Sequence, residues 1–168
     1  MEIQTTIESI APITYDSDYY GWVQQQSELL RSGQFDQLDL ENLLEEVESL
    51  GRSEKRALAS QITRLYLHLL KWRFQPDRRS NSWVFSIRSA RREIQQLLTD
   101  NPSLKPWLPS AIEQAYPQAR EQAFVETKLP LKTFPIEPPF TWKLALTMSI
   151  EYTDQDADQD MDQDQKLS

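Results

Sequence analysis

A chain of 168 residues is long enough for one domain with a real core. Its lack of cysteine excludes a disulfide framework or a thiolate metal site and points to a reducing cytoplasm. No stretch approaches the ~20 apolar residues that cross a bilayer, and residues 1–13 lack the basic start and apolar run of a signal peptide. A soluble cytoplasmic protein with no membrane partner is therefore expected. The formal charge of -8 hides a polarised chain: residues 1–51 hold eleven acids and Arg31 as their one base, while residues 52–92 hold eleven bases and two acids. Residues 151–168 return to seven acids and one base.

In chain order, residues 1–14 read as a flexible N-terminus and residues 15–150 as an all-α, single-domain bundle of about five helices. Asp16 or Ser17 caps a first helix over 17–32, with Tyr19, Trp22, Val23, Leu29 and Leu30 on one face and Gly33 as its left-handed stop. Asp39 caps a second helix over 39–50, with Leu40, Leu43, Leu44, Val47 and Leu50 inward and the glutamates mostly outward. Gly51 costs ~1 kcal/mol relative to alanine inside a helix, so a break is expected there; one continuous helix is the alternative.

The central helix, 52–75, carries Leu58, Ile62, Leu65, Leu69 and Trp72 at three- and four-residue steps, with Tyr66, Leu70 and Phe74 adding a second apolar face. Pro76 ends it. Ser80 or Ser82 caps a helix over 80–98, with Trp83, Ile87, Ala90, Ile94, Leu97 and Leu98 on one side. Asn101-Pro102 starts an arm over 102–127 that Pro106, Pro109 and Pro117 should kink or segment. Residues 128–140 hold four prolines and read as an extended strap, followed by a short helix over 141–148 with Thr141 as its cap. The Asp-Gln repeats of 151–168 read as a disordered acidic tail.

The chemistry gathers at one corner. His68, Lys71, Trp72, Gln75, Arg78, Arg79 and Trp83 surround the end of the central helix and the turn after it, and Arg91 follows on the next helix. Cations beside indoles suit an anionic ligand, an unstacked base or a protein partner. The plainer reading is that the tryptophans are core and the polar groups cap the helix end, where cations meet its negative pole. A metal could draw on His68 with Glu45 and Glu48. However, no Glu-x-x-His pair is present and a single histidine gives no second nitrogen ligand, so no metal or other cofactor is expected. No Gly-x-Ser-x-Gly elbow or phosphate-cradling glycine loop occurs, and enzymatic chemistry lacks support.

Several motifs together resemble the bacterial "domain of unknown function" family number twenty-nine, common in cyanobacteria. They are Tyr15-Asp16 with Trp22, Leu30-Arg31-x-Gly33, Leu38-Asp39-x-x-Asn42-Leu43 and Glu45-Glu46-Val47-Glu48-Ser49-Leu50-Gly51. They continue as His68-Leu69-Leu70-Lys71-Trp72-x-x-Gln75-Pro76, Arg78-Arg79, Ser82-Trp83 and Pro102-Ser103-Leu104. The likeness covers residues 15–147 and departs at the acidic tail. It implies an all-helical fold and supplies no activity, cofactor or catalytic residue.

Three functions are weighed. The first is a non-catalytic helical module that binds another protein through the Lys71–Trp83 corner, with tryptophan and arginine as anchors. The second is nucleic-acid association, or an accessory role in a toxin–antitoxin or mobile-element operon, through the basic residues of 52–92. Against it, Glu45, Glu46 and Glu48 are expected to fold back on Arg52, Lys55 and Arg56 and cancel their field. The third is an enzyme with His68 as acid–base. The sequence fixes neither the partner nor the oligomeric state.

Overall fold

The structure is a computed structural model and describes residues 13–152. Residues 1–12 and the tail from residue 153 onward, expected to be flexible and disordered, lie outside the described residues. Among the described residues there are five α-helices, four 3-10 turns and no strand, so the fold is all-α. Two compact units follow one another, Met1–Gly51 and Arg52–Ser168, with one helix running through their border.

The first unit opens with helix α1, Tyr19–Ser32. Its cap is Asp18, one or two residues later than expected; the Asp18 carboxylate accepts from the Gly21 N–H at 2.9 Å. Thr14 and Ser17, which bond one another through their hydroxyls at 2.7 Å, form the turn before it. Gly33 ends α1 in left-handed backbone with φ 74°, as its position suggests. A 3-10 turn, Phe35–Gln37, leads into helix α2, Leu40–Phe74.

Asp39 anchors this junction. Its carboxylate accepts from Trp22 Nε1 at 3.0 Å and Asn42 Nδ2 at 2.7 Å, while its own N–H donates to buried Gln26. Hydrogen bonds from Asn42 hold the Asp39 carboxyl below its ordinary value, despite some desolvation. Tyr15 and Tyr19 both donate to the Glu46 carboxylate, and that acceptor pushes the Tyr15 phenol up to about 12. Tyr15, Tyr19 and Trp22 pack as an aromatic triad with centroids 4.9–6.0 Å apart.

Two expectations for α2 are corrected. The helix does not break at Gly51: residues 40–74 form one helix, so the hairpin that was to bring Glu45, Glu46 and Glu48 back onto Arg52, Lys55 and Arg56 does not arise. A glycine makes a helix weaker without ending it, and no proline stands nearby to finish the stop. The second correction concerns the apolar side chains. Leu40, Leu44, Val47 and Leu50, expected inward, are 67, 60, 63 and 69% exposed, and Leu43 is half-buried.

The second unit is built on the rest of α2. Leu58, Ile62, Leu65 and Leu69 are 0% exposed, with Tyr66, Leu70 and Trp72 buried beside them, so the two-faced central helix is as the periodicity predicts. Helix α3, Asn81–Asp100, starts after Ser80 and buries Val84, Ile87, Ala90 and Ile94. The proline-rich arm is segmented, as expected: a 3-10 helix, Pro102–Trp107, passes into helix α4, Leu108–Thr127. Pro117 sits inside α4 without ending it.

Ala111, Ala115, Ala119 and Ala123 form a buried small-residue ridge on α4. That ridge lets α2 approach closely enough for the Thr63 hydroxyl to reach the Ala115 carbonyl at 3.4 Å. Tyr66 and Tyr116 meet edge to face across the same interface, with centroids 5.4 Å apart.

Residues 128–140 contain a 3-10 turn, Leu131–Thr133, and are tied to α4 through main-chain carbonyls. Tyr116 Oη donates to Pro135 O at 2.7 Å, and Arg120 donates to Phe134 O at 2.8 Å and Leu131 O at 3.2 Å. Phe134 and Phe140 are buried as its two anchors. Helix α5, Trp142–Thr147, begins with the Thr141 cap, whose hydroxyl accepts from the Leu144 N–H. Among the described residues no helix is long and apolar enough to cross a membrane.

Candidate functional site

The end of α2, the 3-10 turn Pro76–Arg78, the start of α3 and the end of α4 meet at a concave pocket of about 560 Å³. Lys71, Gln75, Arg78 and Trp83 line it together with Glu126, Thr127 and Lys128. Pro76 ends α2 and lets the chain double back, which carries Arg78 and Trp83 to the pocket.

Lys71 is the best-fixed group. Its ammonium lies 2.6 Å from a Glu126 oxygen and 4.6 Å from the centroid of the Trp83 ring. The ion pair is lopsided, with the lysine side chain 11% exposed and the glutamate 46%. Gln75 donates to Thr127 O at 3.3 Å, stitching the ends of α2 and α4 together. Arg78 and Lys128 are exposed at the rim. Lys128 is also the one non-glycine residue with positive φ among the described residues, at 59°, closing α4 as a left-handed cap.

The other sequence candidates lie elsewhere. Trp72 is buried, with the Arg79 guanidinium over its ring at 4.6 Å; Arg79 Nε also donates to the Trp72 carbonyl at 2.9 Å. That pair caps α2, as the plainer reading held. His68 is half-buried and does not line the pocket. Its Nδ1 lies 2.9 Å from the Arg64 carbonyl, which can only accept, so Nδ1 carries the proton. Burial, with help from the Lys71 charge, holds the imidazole below its ordinary value, against the opposing pull of the Arg64 carbonyl. Arg91 points away from the corner, donating from Nε to Ala145 O at 2.9 Å, with its buried Nη2 unmatched. Among the described residues no three carboxylates or imidazoles are grouped to hold a metal ion, so Glu45, Glu48 and His68 make no such set.

Several bases of the middle segment contact rings and carbonyls of the second unit. Lys55 lies over Trp107, Arg73 over Phe74 and Phe140, and Arg88 donates to Ile150 O.

Sequence reasoning missed Glu126, Thr127 and Lys128. One local signal was available for Glu126: a carboxylate in the last turn of a helix opposes the helix dipole and calls for a cation from elsewhere. Nothing local marks Lys128.

A family model described as "Domain of unknown function DUF29" matches residues 14–150. No curated protein and no solved structure matches the chain.

Proposed function

The chain belongs to the DUF29 family, whose description assigns no activity, and from the corner pocket we propose a non-catalytic protein-binding module that receives an acidic side chain of its partner. The observation that carries the reading is the rim: Arg78 and Lys128 flank a cavity floored by Trp83 and a neutralised Lys71–Glu126 pair. An incoming carboxylate would meet two uncommitted charges and rest its stem on an indole. Lys128 adds weight, because a lysine in left-handed backbone costs ~1–2 kcal/mol that a glycine would avoid.

Catalysis finds less support. The single imidazole is outside the pocket, with one nitrogen committed to Arg64, and the pocket's carboxylate is committed to Lys71. Nucleic-acid association also ranks lower, because Lys55, Arg73, Arg79, Arg88 and Arg91 are already engaged on rings and carbonyls. A cysteine-free composition fits a cytoplasmic setting.

Selection of displayed random peptides on the intact protein tests the proposal. Asp- and Glu-rich peptides should be enriched, and Arg78→Glu should abolish their binding. Enrichment indifferent to Arg78→Glu, or of uncharged peptides only, would sink it. Repeating the selection on residues 1–152 separates out competition from the chain's own aspartates. In the same vein, Lys128→Gly should raise stability by about 0.5–1 kcal/mol in urea titrations while weakening peptide binding.

A further inference from the structure

The arginines of α3 make a second charged surface, which does not depend on the corner pocket. Arg88 and Arg92 are both exposed and four residues apart, so one stands above the other on the helix, with Arg91 beside them. Arg88 donates to the Ile150 carbonyl at 3.3 Å and Arg91 to the Ala145 carbonyl at 2.9 Å. A neutral carbonyl occupies part of a guanidinium's donor set and leaves its charge in place. Burial first, and the like charge of Arg88 second, hold Arg91 below its ordinary value, and its buried Nη2 is unmatched.

The neighbouring carboxylates do not balance this face. Residues 88–93 and 141–152 together hold four cations, Arg88, Arg91, Arg92 and Lys143, and two carboxylates, Glu93 and Glu151. Glu93 has Ser89, Ala90, Gln96 and Leu97 at its helical neighbour positions, none of them cationic. Glu151 accepts from the Ser149 hydroxyl at 3.0 Å. Asp100, two turns beyond Arg92, accepts from Gln96.

The same chain carries the missing charge a few residues away. Four positions past Ile150, whose carbonyl Arg88 holds, comes Asp154, the first of six aspartates at every second position from 154 to 164. Four residues reach at most ~14 Å, so the first of these carboxylates meet the arginines at an effective concentration on the order of millimolar. In an extended chain alternate residues project to one side ~6.6 Å apart, close to the ~6 Å rise between Arg88 and Arg92.

We propose that the aspartate run, residues 154–164, lies along the Arg88–Arg92 face of α3 and screens it from other polyanions. Single exposed ion pairs contribute little, so several aspartates act together, and a foreign acidic segment must displace them to reach the arginines.

The chain has no cysteine, so Gln159→Cys gives one attachment point for a nitroxide on the full-length protein. Paramagnetic broadening of backbone amides is then read by NMR. The amides of residues 88–92 should broaden about twofold or more beyond a reference with Asp154→Asn, Asp156→Asn, Asp158→Asn and Asp160→Asn, and the excess should vanish at ~0.5 M salt. Arg92→Glu should remove the same excess; it is chosen because Arg88 and Arg91 also fasten residues 145–150. Arg78→Glu should leave the excess unaltered.

Equal broadening in the asparagine reference, or indifference to Arg92→Glu, overturns the proposal. Broadening centred on Arg78 and Lys128 also overturns it and assigns the aspartates to the corner pocket. So does broadening that persists only between a spin-labelled chain and a separate isotope-labelled one, which makes the contact intermolecular.

Discussion

The Lys71–Glu126 pair shows how a single contact can be unequal at its two ends. The ammonium is the buried partner and the carboxylate keeps nearly half its contact with water. Removing Glu126 leaves a buried cation with only the Trp83 ring, whereas removing Lys71 leaves a carboxylate that solvent can reach. Glu126→Ala should therefore cost about 1–2 kcal/mol after allowance for screening, and Lys71→Met less than half of that, measured by urea denaturation of both variants.

His68 makes a prediction in pH. Its folded value lies below the ordinary 6.5, so below pH 6.5 the unfolded chain binds the proton more readily than the folded one. Stability contributed by the neutral imidazole is present above 6.5 and is lost as pH falls towards the folded value. The melting temperature of the wild type should drop more between pH 7 and pH 5 than that of His68→Gln; parallel profiles would contradict the assignment.

At the scale of elements, periodicity located the helices well and exposure poorly. The stripe Leu58–Ile62–Leu65–Leu69 was read as buried and is, because other helices cover it. Leu40, Leu44, Val47 and Leu50 have the same pattern and remain exposed, since spacing encodes which residues share a side and not what lies opposite. The corner pocket was half legible for a related reason. Lys71, Gln75, Arg78 and Trp83 lie within thirteen positions of one another, while Glu126 and Lys128 arrive from α4 through tertiary packing alone.

Gly51 is the clearest misreading, and it is testable. Apart from its chain neighbours and the helix's own backbone, no atom stands within 4 Å of the position its Cβ would take, and its backbone is helical. Gly51→Ala should add about 0.5–1 kcal/mol by helix propensity and reduced unfolded-state freedom. A loss of stability on denaturant titration would mean that the glycine is needed for something other than the helix.

For the molecule as a whole, burial and not residue type sets the cost of a change. Leu44 and Leu69 are the same side chain on the same helix, one 60% exposed and the other 0%. Leu69→Ala should cost about 2–5 kcal/mol through lost contacts and a cavity, and Leu44→Ala no more than about 0.5; thermal melts of the two variants check the contrast. The polarised charge pattern, plain in the sequence, pointed to acid–base pairing along the chain. Within the second unit, Arg88 and Arg91 fasten carbonyls of a later segment, residues 145–150.

Arg120 and Tyr116 hold residues 131–135 by the same means, gripping main-chain oxygens that every amino acid possesses. Such a grip is blind to the identity of the residue it holds. Between the buried rings of Phe134 and Phe140, exposed Ile136 and Glu137 are thus free to be exchanged, which makes this bend a place where a foreign epitope could be written without rewriting the protein.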